Sequence, residues 1–202
     1  YQSGQNISRA VSFFKAAKRS CRLFIPDVYT VHVLDELGHC PGGEKLPCPG
    51  KPGFDDVRVW YPKRLTNRLF DTGRGDIPLR YQPKKMTKSE MASDLGKVML
   101  FVRPGMEDDL RHIDGLAGST LVYSLWEGYR DKKKTRKFLD VLKSLGVQST
   151  SLHTSGHADI PALRCMGNKL QPKQIVPVHT FNRDEYEDLF GFPVSNESPV
   201  KI

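Results

Sequence analysis

Apolar residues recur every three to four positions in several stretches of this chain, a spacing typical of helices with one buried face. Residues 133–145 show it most clearly through Phe138, Val141, Leu142 and Leu145, and Gly146 follows where a helix commonly ends. The same spacing predicts further helices over residues 6–18, 27–37, 63–70 and 106–113, and an amphipathic segment through Leu163, Met166 and Leu170.

Shorter apolar runs between these helices predict strands. Residues 98–102 are continuously apolar, which indicates a central strand covered on both faces, whereas residues 57–61 alternate between apolar and polar. Further strands are predicted over residues 22–25, 120–125 and 175–178. Strands that alternate with helices predict an α/β fold, with a layered sheet that carries helices on both faces.

The composition favours a globular protein with no membrane partner. Hydrophobic residues make up 38% of the 202 positions, and no apolar run approaches the roughly 20 residues needed to cross a bilayer. Four scattered cysteines predict reduced thiols and hence a cytoplasmic location. His39, Cys40 and Cys48 offer a zinc clip as an alternative, which is disfavoured because structural zinc usually has four protein ligands.

The charge of the chain favours polyanionic partners. Its formal net charge is +8 and its pI is about 9.3, so RNA or DNA is the expected class of partner. Three consecutive lysines, Lys132, Lys133 and Lys134, have two interpretations that the sequence leaves equal. They contact nucleic acid, or they form a solvated helix surface.

Two histidines stand where α/β sheets place their chemistry. His179 follows the apolar run 175–178, and the carboxyl ends of strands are where such sheets bind ligands. His157 lies in a glycine-containing turn just before the amphipathic segment. One histidine alone is more often a structural residue, whereas two imidazoles at neighbouring strand ends suit a metal ion or a phosphoryl group.

Residues 155–159 (Ser-Gly-His-Ala-Asp) and 177–179 (Pro-Val-His) resemble the last two signature motifs of the β-CASP branch of metallo-β-lactamase-fold nucleases. Segments 3–11, 27–30 and 123–129 resemble the β-CASP part of bacterial metallo-hydrolases in this branch, so the resemblance covers nearly the whole chain. It implies a Rossmann-like β-CASP domain in residues 1–146. It also implies that residues 147–202 are the returning carboxyl-terminal segment of the metallo-β-lactamase fold.

The resemblance also implies a set of site residues around a two-metal zinc centre. His179 is expected to be a metal ligand with a neutral imidazole. His157 is expected to act on the phosphate, as a hydrogen-bond donor or as the general acid. Ser124, Ser155 and Gly156 are expected to contact the same phosphate.

Four residues near these motifs have two interpretations each. His153 is expected to have a structural or second-shell role. Asp159 is expected to cap the following helix in preference to binding metal. Trp126 and Tyr129 either stack on bases or pack between a helix and the sheet.

One motif of the resembled family is missing from this sequence. The family's first metal motif has the form His-x-His-x-Asp-His, and His32, His39 and His112 are too far apart to match it. We therefore expect the chain to be the carboxyl-terminal portion of a larger enzyme, inactive without an amino-terminal metallo-β-lactamase half. A homodimer is left open as its oligomeric state.

Three functions follow from these observations. The leading hypothesis is a metal-dependent phosphodiesterase that acts on RNA or DNA. The alternative is a non-catalytic nucleic-acid-binding or regulatory module of the same fold, which the basic charge fits equally well. A hydrolase of a non-nucleic substrate is disfavoured, because the β-CASP part is the nucleic-acid clamp of the resembled family.

Overall fold

The computed structural model describes residues 1–153, 158–178, 180 and 182–195. The chain divides into two units, Tyr1–His153 and Thr154–Ile202. This division falls later than residue 146, where the sequence predicts a domain boundary. The reason is that residues 148–151 form a strand whose partner lies in the first unit.

Four short strands in the first unit form two parallel pairs. Strand β1 (Leu23–Ile25) pairs with β2 (Val98–Leu100), and β3 (Thr120–Tyr123) pairs with β4 (Gln148–Ser151). The predicted strand 57–61 is reduced to single bridges beside β1, at Val57 and Trp60. The described part of the chain is therefore mixed α/β with two small parallel sheets, which confirms the predicted class at this level.

The helices occupy most of the predicted positions. Those of the first unit are α1 (Ile7–Arg19), α2 (Val28–Gly38), α3 (Lys63–Asp71), α4 (Asp76–Arg80), α5 (Lys88–Ser93), α6 (Glu107–Leu110) and α7 (Lys133–Ser144). The predicted helix 106–113 is shortened to the single turn of α6. None of the helices within the described ranges is long and apolar enough to cross a membrane.

Local sequence explains where the principal helices begin and end. The Asn6 side chain accepts a hydrogen bond from the Arg9 amide at 3.0 Å and so caps α1. Asp27 caps α2 in the same way. Helix α7 stops before Gly146, whose φ of +74° suits glycine and few other residues.

Apolar side chains pack on both faces of β1. Phe24 joins a core cluster with Ala10 and Phe14 of α1, whereas Ile25 joins a second cluster with Phe138 and Leu142 of α7. Successive strand residues point to opposite faces, so the two helices cover opposite sides of the strand. Because the two strands of each pair run parallel, their carboxyl ends lie at the same edge of that pair.

The second unit contains α8 (Ile160–Leu170) and α9 (Tyr186–Phe190). Gly167 is the one buried residue of α8, and it packs closely on Phe192, since an added Cβ would lie only 3.1 Å from that ring. Met166 and Leu170, predicted to face a core, are 55% and 69% exposed. The amphipathic pattern therefore predicts the helix correctly but not the burial of its apolar face.

The prediction of a buried strand over residues 175–178 is wrong. Ile175 makes a single parallel bridge to Val194, and Val176 and Val178 are 46% and 57% exposed. An apolar run specifies a strand only when a neighbouring strand supplies the ladder of hydrogen bonds. Among the described residues of the second unit, the single bridge to Val194 is the extent of this pairing.

Candidate functional site

A cleft lies where the strands of the first unit end. Tyr29 follows β1, Arg103 follows β2 and Leu125 follows β3, and all three line it together with Tyr129 and Lys132–Lys134. We call this cleft, with a volume of about 780 Å³, the basic cleft. Crevices at the carboxyl ends of parallel strands are the usual ligand sites of α/β folds, because loops from several strands converge there.

Arg103 supplies the central cation of the basic cleft and is held by Asp27. The Asp27 carboxylate is buried, and it accepts hydrogen bonds from the Tyr29 and Thr30 amides at 3.1 and 3.2 Å. It also forms an ion pair with the Arg103 guanidinium, which lies 5.4 Å from the centre of the Tyr29 ring. One carboxylate thus begins helix α2 and orients the guanidinium towards the cleft.

The segment after Tyr1 approaches these side chains closely. A Cβ at Gly4 would lie 2.9 Å from the Thr30 hydroxyl and 3.3 Å from both the Tyr29 ring and the Arg103 guanidinium. The Gln5 side-chain amide donates to the Tyr29 hydroxyl at 3.1 Å. Glycine is therefore required at position 4 for the chain to form this wall of the cleft.

The lysines of the basic cleft lie at the start of α7. Lys132 precedes the helix without capping it, and Lys133 and Lys134 fill its first turn, where no acidic residue is present. Cations at a helix amino terminus oppose the helix dipole and lower stability by about 0.3–1 kcal/mol each. An anion bound there reverses this effect, because lysines and uncapped backbone N–H groups both attract it.

Two aromatic side chains stand beside these lysines. Trp126 and Tyr129 are 53% and 39% exposed, and their ring centres are 5.4 Å apart in an edge-on arrangement. The Lys132 ammonium lies 4.1 Å from the Tyr129 ring centre. Gly128 lets the indole lie against the backbone, since a Cβ there would be 2.3 Å from it. Exposed rings next to cations suit the stacking of nucleic-acid bases.

Ser124 lies at the end of β3, but its hydroxyl is occupied by internal contacts. The side chain is buried; it donates to the Leu152 carbonyl and accepts a hydrogen bond from the Arg9 guanidinium. Its backbone N–H donates to the Tyr1 carbonyl at 2.9 Å. Ser124 therefore ties the ends of β3 and β4 to α1, and Arg9 is the cation it positions.

Four of the predicted site residues, Ser155, Gly156, His157 and His179, lie outside the described residues. Their roles remain predictions from the motif resemblance.

The two remaining predicted residues are described. His153 is exposed and lies just beyond the end of β4. The Asp159 carboxylate accepts a hydrogen bond from the Ala162 amide at 2.8 Å and caps α8, which confirms its predicted capping role. A second-shell role for either residue stays a prediction.

The described residues contain no group of three or more His, Cys, Asp or Glu side chains that could hold a metal ion. The zinc clip considered for His39, Cys40 and Cys48 has a further difficulty. Cys48 is buried, and this burial raises the pKa of its thiol to about 11, whereas zinc binds the thiolate. The His39 Nδ1 atom lies 2.8 Å from the Asp35 carbonyl oxygen.

The sequence alone assigned no role to Asp27 and Arg103, which organise the basic cleft, or to Arg9, which binds Ser124. Arg9 and Asp27 fall within segments 3–11 and 27–30, which carry the family resemblance, but a segment match assigns no contacts. Arg103 follows the apolar run 98–102 directly. Its position as a cation at the end of a predicted strand was therefore the signal by which the sequence could have identified it as a site residue.

Comparison with known proteins adds no relative to this picture. No protein-family model, no curated protein and no solved structure matches the chain. The geometry of the basic cleft and the resemblance of the histidine motifs are therefore the observations that bear on function.

The ion pair between Asp27 and Arg103 leads to a stability prediction. Asp27→Asn keeps a side-chain oxygen for the helix cap but removes the charge opposite Arg103. We expect urea denaturation to show a loss of about 1–3 kcal/mol in the free energy of unfolding. Asp55→Asn, at an exposed carboxylate, is the control and should change stability by less than about 0.5 kcal/mol.

A double-mutant cycle with Arg103→Met separates the ion pair from other effects of the substitution. We expect Asp27→Asn to lower the free energy of unfolding by less when Arg103 is already replaced. Strictly additive losses would show that the two side chains do not depend on each other.

Proposed function

We propose that the chain is the carboxyl-terminal portion of a metal-dependent phosphodiesterase of the metallo-β-lactamase β-CASP type, acting on RNA or DNA. The basic cleft is the feature that carries the nucleic-acid part of this proposal. Its cations, its uncapped helix terminus and its neighbouring exposed rings match the phosphates and bases of a single strand. The formal net charge of +8 has the sign that such a partner requires.

Two groups of side chains contribute to recognition: cations that bind phosphates, and aromatic rings that stack on bases. Arg103, fixed by Asp27, presents a planar guanidinium that suits a phosphate group. Lys132–Lys134 and the first N–H groups of α7 contact phosphates further along the nucleic-acid strand. Trp126 and Tyr129 stack on bases without selecting their identity, because every base has an aromatic face.

We also propose the finer architecture that the resemblance implies. The first unit is a Rossmann-like β-CASP domain, and the second belongs to the returning segment of the metallo-β-lactamase fold. Parallel pairing of β1 with β2 and of β3 with β4 supports this, as does the packing of helices on both faces of β1.

Cleavage depends on residues outside the described part of the chain. His179 is the proposed zinc ligand and His157 the proposed acid on the phosphate side, with Ser155 and Gly156 beside it. The resemblance implies that the remaining ligands come from a His-x-His-x-Asp-His segment, which this sequence lacks. When bound, paired zinc ions activate water and neutralise phosphate charge.

A non-catalytic nucleic-acid-binding or regulatory module is the second candidate. The same cleft favours it, because the cations bind phosphate without a metal ion. The presence of both His157 and His179 in the sequence favours the enzyme, since a module that only binds has no chemical use for the pair.

The lysines at the start of α7 provide the test of nucleic-acid binding. We expect the combined change Lys132→Gln, Lys133→Gln and Lys134→Gln to weaken binding of single-stranded RNA or DNA about tenfold or more. The slope of log affinity against log salt concentration should become less steep by about 2, because each lost phosphate contact on a single strand contributes about 0.7. Fluorescence anisotropy with a labelled oligonucleotide measures both quantities.

The matched control removes the same charge elsewhere. Lys15→Gln, Lys18→Gln and Lys143→Gln change three exposed lysines that do not line the basic cleft. Their combined variant should bind almost as the parent does. Equal losses in the two triple variants would show that net charge, and not the cleft, determines binding.

The enzymatic part of the proposal requires a separate measurement. The 202-residue chain supplied with Zn²⁺ should not cleave RNA or DNA, because it lacks the other metal ligands. In an enzyme that also contains a His-x-His-x-Asp-His segment, His179→Ala should lose metal and activity together. His157→Ala should keep the metal and lose about 10²–10⁴ in single-turnover rate. Cleavage by the chain alone, or the opposite pattern of metal loss, would contradict these assignments.

A further inference from the structure

Two strand edges face each other across a cavity inside the first unit. Residues Val98–Leu100 of β2 line one side, and residues 120–122 of β3 line the other. Phe13 of α1 and Leu142 of α7 also line it. We call this space, with a volume of about 610 Å³, the inter-sheet cavity.

Neither edge has a strand partner on the cavity side in the part of the chain that the structure describes. Strand β2 pairs with β1, and the Phe101 amide donates to the Ile25 carbonyl at 2.9 Å. The backbone groups of successive strand residues point to alternate sides, so those of Leu100 point away from β1 and into the cavity. Strand β3 pairs with β4 through its Tyr123 carbonyl, which leaves Thr120 and Val122 facing the cavity. Thr120 is exposed, and Leu100 and Val122 are half-buried, so the backbone groups of both edges are open to a further hydrogen-bonding partner.

The burial of β2 also departs from its sequence. The run 98–102 is entirely apolar, the composition of a strand with neighbours on both sides. In the structure Val98, Met99, Leu100 and Val102 are only half-buried, and Phe101 alone is buried. The sequence of β2 is therefore that of a central strand, although β2 now forms an edge.

Tyr1 already occupies the end of the space between the sheets. Its amino nitrogen donates to the Val122 carbonyl at 2.7 Å, and its carbonyl accepts from the Ser124 amide at 2.9 Å. This is the hydrogen-bond pattern of a strand residue parallel to β3 and opposite Tyr123. Residues joined to the Tyr1 amino group in the same direction would pass beside Val122 and Thr120, into the cavity.

We propose that the inter-sheet cavity accepts one further parallel strand, an apolar segment of about five residues whose last residue is joined to Tyr1. This strand lies between β2 and β3 and joins the two pairs into a single parallel sheet in the order β1-β2-inserted strand-β3-β4. Its side chains are apolar, because apolar residues of both α1 and α7, Phe13 and Leu142, line the cavity. The inference does not depend on the proposed function.

The charge state of Tyr1 supports this arrangement. Burial lowers the pKa of its amino group from 8.0 to about 5, so a free amine at this position resists protonation. A peptide N–H makes the same hydrogen bond to Val122 without that cost. The position therefore suits an internal residue of a strand better than a charged terminus.

The test adds segments to Tyr1 and compares them. One polypeptide carries a Val-Ile-Val-Leu-Val extension, and its control carries Val-Pro-Val-Pro-Val, which lacks two of the N–H groups. The first should raise the urea midpoint and slow amide hydrogen exchange at Leu100, Thr120 and Val122 at least tenfold. The control should do neither.

Other outcomes overturn the proposal. Slower exchange at Thr120 and Val122 without any change at Leu100 would mean that the segment pairs with β3 but does not bridge to β2. Equal effects of both extensions would exclude a hydrogen-bonded strand. Concentration-dependent protection of the same amides in the chain without an extension would assign the cavity to a second copy.

A second measurement remains informative if the extended polypeptide does not fold. In a polypeptide that begins at Tyr1, the unfolded amine binds a proton below pH 8, whereas the folded amine binds it only near pH 5. The free energy of unfolding should therefore be highest above pH 8 and should fall as the pH is lowered to about 5. Acetylation of the amine should remove this dependence. An identical pH profile before and after acetylation would show that Tyr1 does not lie in the ladder.

Discussion

The buried carboxylate of Asp27 is the constraint on which the first unit depends. It follows β1, begins helix α2, accepts a hydrogen bond from the Thr30 hydroxyl at 3.0 Å and pairs with Arg103 after β2. Its backbone also bridges to Trp60. A buried charge is stable only when its partners are all in place, so this residue fixes the relative positions of the elements that meet at the cleft.

The basic cleft combines this rigid base with a wall that is electrostatically unfavourable on its own. Lysines in the first turn of α7 repel the positive end of the helix, and no acidic residue in the first turn offsets them. Local conflicts of this kind occur where a site is shaped for a ligand and not for stability. In the proposed function a phosphate backbone resolves this conflict, because its negative charge suits both the lysines and the positive end of the helix.

Much of the secondary structure followed from the sequence, whereas burial and side-chain contacts did not. The periodicity of residues 133–145 predicted α7 because its apolar face joins a core cluster within the same unit. The run 98–102 predicted a central strand, and the structure leaves it half-buried beside an open edge. The contact of Arg9 with Ser124 joins residues far apart in the chain, and no local pattern encodes such a pair. Positions that depend on distant neighbours were therefore the ones that the sequence could not specify.

The two tryptophans of the chain allow the most direct test of nucleic-acid binding beside the cleft. Trp60 is 2% exposed in the core, whereas Trp126 is 53% exposed next to Tyr129 and the lysines of α7. A single-stranded oligonucleotide should quench the fluorescence of the parent chain and of Trp60→Phe, but not that of Trp126→Phe. Quenching that persists in Trp126→Phe, or its absence from the parent chain at low salt, would contradict the account.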